Sequence, residues 1–251
     1  RGVLSDDTAC QLEAMTQIRK LLCMCCTPSI DAERIMGLAP RFVEFLQRHE
    51  NTPLQREAAH ALGYITFGTR AQTREVVELN AIPILVQLLG GSPDAGVRQE
   101  VTENVCYIAQ TSTEYRDLLL DSNVLQPLLE QINNNNEDPT TEMLQIASLA
   151  IANLCRSDPP PEFETVAPAL DTLVHLLSSS DDPGILENTC IAFCWLSEGH
   201  ADKMQAVIED DVCRRLVELL THPSPGVQCP ALRAVGHLVF VKGTQQRQET
   251  L

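Results

Sequence analysis

Basic charge is scarce in this chain: Lys and Arg number 18 against 34 Asp and Glu, a formal net charge of −16. Phosphate binding needs a basic footprint, so no nucleic-acid partner is expected. An acidic surface instead steers basic partners toward it, although the same charge can serve only to keep an elongated chain dissolved. No apolar run approaches the roughly 18–20 residues that span a bilayer, and no signal peptide is recognisable, so no membrane partner is expected. No segment alternates apolar and polar residues with period two, the usual sign of a half-buried strand. A phosphate loop is missing as well, because the segment GGSPDAG at 90–96 lacks the Lys-Ser/Thr such a loop requires. His49, His60, His175, His200, His222 and His237 are scattered without triad-like or metal-ligand spacing. These absences speak against an enzyme and against any cofactor.

Ten cysteines would mean disulfides in a short secreted chain, but helices supply the core here. Cys106, Cys155, Cys190 and Cys194 fall where a helix interior wants a small apolar group, a role free Cys fills well. Cys23, Cys25 and Cys26 lack the His or second Cys pair of a zinc site. Reduced thiols and no metal are the expectation.

What the sequence does contain is a repeat. Val43-Glu44-Phe45-Leu46, Val86-Gln87-Leu88-Leu89, Leu129-Glu130-Gln131-Ile132, Val174-His175-Leu176-Leu177 and Val217-Glu218-Leu219-Leu220 start 43, 43, 45 and 43 residues apart. A second series follows each: HALGYIT, ENVCYIA, LAIANLC, IAFCWLS and RAVGHLV. Its markers Tyr64, Tyr107, Asn153, Trp195 and His237 are spaced 43, 46, 42 and 42. Apolar residues recur at i, i+3 and i+4, so each unit reads as a short helix, a second helix with the V-x-L-L pattern and a longer third helix. The third helices are expected near 12–24, 55–66, 98–109, 142–155, 187–197 and 228–239. Asn80, Asn123 and Asp211 precede the second helices; Asn and Asp tolerate the left-handed conformation and can cap a helix, which suits a tight corner. The run Asn133–Asn136 is most simply a tolerated loop insertion. A fixed period of this size means stacked helical units, each unable to bury its apolar face alone, and favours a binding solenoid.

The stretches RFVEFLQRHENTPLQREAAHALGYITFGT, NLCRSDPPPEF and VCRRLVELLTHPSPGVQCPALRAVGHLV are similar to the armadillo repeats of the importin-α (karyopherin-α) family. The resemblance covers essentially residues 1–251 and implies one all-α domain, a right-handed superhelical solenoid of about six repeats, repeats one to six, with further repeats expected after it. It further implies a nuclear-import adaptor of cytoplasm and nucleus. Basic nuclear localisation signals of cargo would lie extended in a concave groove lined by the third helices. Importin-β is the second partner it implies, recruited through a basic arm outside this chain. In that family most third helices present a Trp and, four residues later, an Asn, which share one helix face. The Trp rings wall the stems of Lys and Arg, and the Asn amide clamps the peptide backbone.

By the same resemblance the groove positions here are His60 and Tyr64, Glu103 and Tyr107, Leu149 and Asn153, Ile191 and Trp195, and Arg233 and His237. Only Asn153 and Arg233 keep the family's residue. Gly68 and Thr73 match the family's principal lysine pocket, while Thr111 stands where it has an acid. Losing two backbone-clamping amides and that acid should cost on the order of 3–5 kcal/mol for a standard signal. Glu103 is placed to attract Lys or Arg, and Tyr64, Tyr107 and Trp195 to supply aromatic walls, unless these are ordinary helix residues. Asn153 sits in an otherwise apolar stretch, which is costly unless its amide is satisfied. Arg233 contacts ligand or braces a neighbouring acid; His60 senses pH in the groove or is structural; Trp195 packs between third helices or lines the groove. The rival reading is a divergent armadillo protein-interaction scaffold that no longer binds conventional localisation signals.

Overall fold

Helix starts are written into this sequence at the repeat interval. Asn51, Asp94, Thr140 and Asp182 each accept a backbone N–H three residues on, from Leu54 at 3.1 Å, Val97 at 2.9 Å, Met143 at 3.2 Å and Ile185 at 3.0 Å. Each side chain satisfies one donor that a helix start leaves unbonded, a contribution of about 1 kcal/mol apiece. These contacts belong to a computed structural model that describes residues 2–24, 35–133, 139–207 and 210–248. Among the described residues the regular structure is helical and no strand occurs.

The helices, in chain order, are α1 (Thr8–Met24), α2 (Ala39–Leu46), α3 (Thr52–Thr66), α4 (Arg70–Glu78), α5 (Ala81–Gly91), α6 (Ala95–Thr111) and α7 (Thr113–Asp121). They continue with α8 (Leu125–Asn133), α9 (Thr141–Leu154), the single turn α10 (Phe163–Val166), α11 (Ala169–Ser179), α12 (Pro183–Val207), α13 (Asp210–Glu218) and α14 (Pro225–Gln248). The V-x-L-L segments fall on α2, α5, α8, α11 and on α13 with the short 3-10 turn Leu219–Thr221. The expected third helices correspond to α1, α3, α6, α9, α12 and α14.

Two of these run past their expected ends. α12 continues through a kink at His200, with φ −142° and ψ 38°, into what the repeat makes the first helix of the next unit. No proline stops it there, so the chain bends where the pattern suggested a break. α14 extends to Gln248 with Pro230 inside its first turns. Asn80 and Asn123 adopt the left-handed conformation expected of them, at φ 58° and 57°. At Asn80 the conformation alone turns the corner, because its side chain does not cap α5. Asp211 departs from the expectation: it lies inside α13, in the first turn, where a carboxylate suits the positive end of a helix, and it bonds Arg214 at 2.7 Å. The side chains of Cys23, Cys25, Cys26 and Asn134–Asn136 lie outside the described residues.

The chain forms two compact units, Arg1–Leu128 and Leu129–Leu251. In the first, α3 packs against α1, α2 and α6 over a core that includes Phe42, Phe45, Leu62, Leu85 and Ile108, all fully buried. In the second, α12 packs against α9, α11 and α14 over Leu173, Leu177, Phe193 and Leu216. Each such side chain contributes about 1.5–3 kcal/mol on burial. That packing sets the rotation of every third helix, and so decides which residues are left facing outward.

Candidate functional site

The third helices leave one register open. His60, Tyr64, Glu103, Tyr107, Leu149, Asn153, Ile191, Trp195 and His237 are half-buried and Arg233 is exposed. The residue after the first member of each pair, namely Ala61, Asn104, Ala150, Ala192 and Ala234, is fully buried. A small residue there lets neighbouring helices approach closely, and the helical twist then carries the next pair of side chains outward.

In the first unit this open register gathers charge. His60 Nδ1 lies 3.0 Å from Glu100 Oε2 on the neighbouring third helix. That hydrogen bond is the main reason the His60 imidazole titrates above its usual value, and Glu103 adds to it against the pull of burial and Arg19. Tyr107 is also pushed up, first by burial and then by the Glu103 charge. His60, Glu103 and Tyr107 thus share one electrostatic neighbourhood, in which the Glu100 and Glu103 carboxylates favour the charged imidazole and disfavour the phenolate. One repeat earlier Arg19 makes the equivalent link, its Nε 2.9 Å from Glu57 Oε2.

Beside these residues the loop after α3 forms a cleft of about 280 Å³ bounded by Phe67, Gly68, Arg70, Tyr107, Gln110 and Thr111. Gly68 is exposed, and a Cβ there would collide with the Gln72 side-chain oxygen, which is held back by a 2.7 Å bond from the Thr69 N–H. Thr73 differs from the expectation that it lines the groove. It is fully buried, its hydroxyl directed at the Thr66 carbonyl at 3.1 Å and at Thr111 Oγ1 at 3.3 Å. In this conformation Thr73 braces Thr111 and does not reach the surface. Thr111 in turn donates to the Tyr107 carbonyl at 2.8 Å.

In the second unit the face carries Leu149 and Asn153 on α9, Ile191 and Trp195 on α12, and Arg233 and His237 on α14. The Arg233 guanidinium stands 5.4 Å over the Trp195 ring, a cation–π contact of about 0.5–1 kcal/mol where exposed. The same guanidinium lies 3.6 Å from Glu198, which also receives the Ser157 hydroxyl at 3.1 Å. His237 Nδ1 is 3.3 Å from the buried Ser197 hydroxyl. So half-buried Trp195 on α12 meets α14 through Arg233, and Arg233 also lies beside an acid.

Sequence reasoning passed over three features of this face. One is the polar links between successive third helices: Glu57 with Arg19, Glu100 with His60, and Asn188, whose amide donates to the Gln145 carbonyl at 2.9 Å. Glu57 and Glu100 stand one repeat apart, a signal that the spacing of the ladder pairs could have exposed. Another is Asn104, buried where α3, α9, α12 and α14 bury Ala, donating 2.8 Å bonds to the Ala59 and Glu100 carbonyls. The third is Phe67, an exposed ring beside Tyr107.

Comparison with known proteins agrees with this architecture. The armadillo/beta-catenin-like repeat family matches residues 69–109 and 202–240. Importin subunit alpha-1a of Oryza sativa subsp. japonica is 46% identical over 238 residues, which are 95% of this chain and 44% of that protein. Importin subunit alpha-1b of the same organism is 47% identical over 239 residues, again 95% of this chain and 44% of the relative. The chain therefore spans less than half the length of these relatives. Among solved structures a designed armadillo repeat protein superposes with a TM-score of 0.80 at 22% identity, covering 94% of this chain and 97% of that one, a likeness of fold. With repeat, packing and relatives in agreement, these 251 residues belong to the importin-α family of armadillo-repeat proteins.

Proposed function

We propose that this chain is the armadillo part of a nuclear-import adaptor, working between cytoplasm and nucleus. It binds basic segments of cargo along the open face of its third helices. Importin-β is recruited through a segment outside these residues. The observation that carries the reading is the open register itself: each pair stays at the surface while the residue beside its first member is fully buried. A net charge of −16 and the Glu103 neighbourhood favour a basic ligand over an acidic one. The names of the relatives support the transport role.

The test is fluorescence anisotropy of a labelled basic localisation signal, titrated with this chain at two salt concentrations, with a charge-reversed acidic peptide as control. Salt-sensitive binding of the basic peptide alone is expected. Equal binding of both peptides, or of neither, overturns the reading. A second reading, an interaction scaffold that has lost conventional signals, is favoured by one contact. Arg233 already occupies the Trp195 ring where a ligand cation would stack. On that reading the signal peptide fails to bind while another extended peptide succeeds.

A further inference from the structure

The polar links from Glu57, Glu100 and Asn188 differ in whether their charge can change. Arg19 and Glu57 keep fixed opposite charges, because a guanidinium does not give up its proton in a protein. The Asn188 amide and the Gln145 carbonyl carry none. His60 with Glu100 is the link whose charge changes near neutral pH, since imidazole is the side chain that ordinarily titrates there. His60 is itself a half-buried member of the open register, as are Glu103 and Tyr107 on the neighbouring third helix.

The charges that act on the imidazole come from two neighbouring helices. α6 supplies the Glu100 carboxylate, 3.0 Å from Nδ1, and the Glu103 charge, while α1 supplies Arg19, which is itself bonded to Glu57. α2 and α4 also pack against α3 and, among the described residues, add no charge to this balance. The Tyr107 hydroxyl, pushed above its ordinary value, stays neutral. A protonated His60 cancels part of the negative charge of Glu100 and Glu103, the charge that draws a basic ligand. A neutral His60 leaves both carboxylates to that ligand. A ligand cation arriving there and the His60 proton therefore weaken each other's hold, and by linkage they do so equally.

We propose that His60 gates this face by protonation: a ligand cation and the His60 proton compete for the Glu100 and Glu103 carboxylates, so a basic peptide is held more tightly where His60 is neutral. The inference rests on the peptide-binding reading above. Its test uses the whole chain and a labelled, end-capped arginine octapeptide, whose charge is constant from about pH 5.5 to 8.5. At fixed ionic strength, affinity measured by anisotropy should rise about three- to tenfold across that range, the scale of removing one like charge about 7 Å from a ligand cation near a protein surface. The rise levels off once pH passes through the raised imidazole value. In His60→Gln, which keeps a hydrogen-bonding partner for Glu100 and whose fold is checked by circular dichroism, the rise should vanish. Calorimetry of the parent chain near neutral pH, in two buffers of different ionisation enthalpy, should show protons released on binding. If the parent binds equally at every pH, releases no proton, or shares its pH dependence with His60→Gln, the gate is refuted while peptide binding stands. If the peptide binds at no pH, both readings fall together.

Discussion

Asn104 and Gly63 make the sharpest prediction, because Asn104 stands where α3, α9, α12 and α14 have alanine and meets the glycine of the neighbouring repeat. Asn104 is fully buried, donates to the carbonyls of Ala59 and Glu100 at 2.8 Å each, and stands where α3, α9, α12 and α14 bury alanine. Across from it, a Cβ built on Gly63 would sit 3.4 Å from Asn104 Nδ2. The amide thus fills the space the glycine leaves, and the glycine gives up about 1 kcal/mol of helix stability to let it in. Asn104→Ala removes two hydrogen bonds worth about 1 kcal/mol each and opens a void over Gly63, a total of about 2–4 kcal/mol. With an m-value near 3 kcal/mol per molar urea, the midpoint of unfolding falls by about 1 M. Gly63→Ala alone should change little, its propensity gain offset by the tight contact. In the Asn104→Ala background the new methyl faces empty space and should recover about 1 kcal/mol or more. Urea unfolding of the four chains gives the coupling. Purely additive effects, or a loss below about 0.5 kcal/mol for Asn104→Ala, would refute the argument that the pair replaces a small–small contact.

Three further outcomes follow from the same geometry. Glu103→Lys should weaken binding of a basic peptide about tenfold or more and flatten its salt dependence, measured by anisotropy, since a wall carboxylate becomes a repelling ammonium. His60 titrates above its usual value because it bonds Glu100, so its contribution to stability is complete below about pH 6.5 and is lost as pH climbs through the raised value. Unfolding midpoints of His60→Gln should therefore lack the part of the decline on the alkaline side of pH 6.5 that the parent shows. Burial pushes the Cys190 thiol up to about 12, whereas Cys229 is exposed. Brief alkylation of the native protein at pH 8, mapped by mass spectrometry, should modify Cys229 and leave Cys190 untouched.

The period made the helices and their outward register legible, because a shift of one residue would have exchanged Tyr64 for the buried Ile65 and Tyr107 for the buried Ile108. Corners were legible where one residue type can do what the backbone demands, as at Asn80 and Asn123. Asp211 misled because Asp serves equally well in a first helical turn. Thr73 misled for a different reason. A hydroxyl can face a ligand or a backbone carbonyl, and the choice was made by the distant Thr66 and Thr111, which sequence spacing does not weigh. Of the cleft, Gly68, Tyr107 and Thr111 were named through the resemblance, whereas Phe67 and Arg70 were not, since their placement depends on the direction in which the chain leaves α3.

Two asparagines on third helices show how burial, not residue type, separates structure from site. Asn153 is half-buried at the outward register of α9, while its neighbours Ala150, Ile151, Ala152 and Leu154 are fully buried. Asn104 lies one register position inward and is closed off from water. An amide at the surface loses little when removed, because water replaces its partners; one in the core leaves unpaired groups and a hole. Asn153→Ala should therefore cost under about 1 kcal/mol in urea unfolding while weakening a bound basic peptide severalfold. Asn104→Ala should do the reverse. If Asn153→Ala unfolds as easily as Asn104→Ala and still binds peptide at parental affinity, then the outward register is only the unfilled edge of the core. The ligand must in that case be sought on another surface.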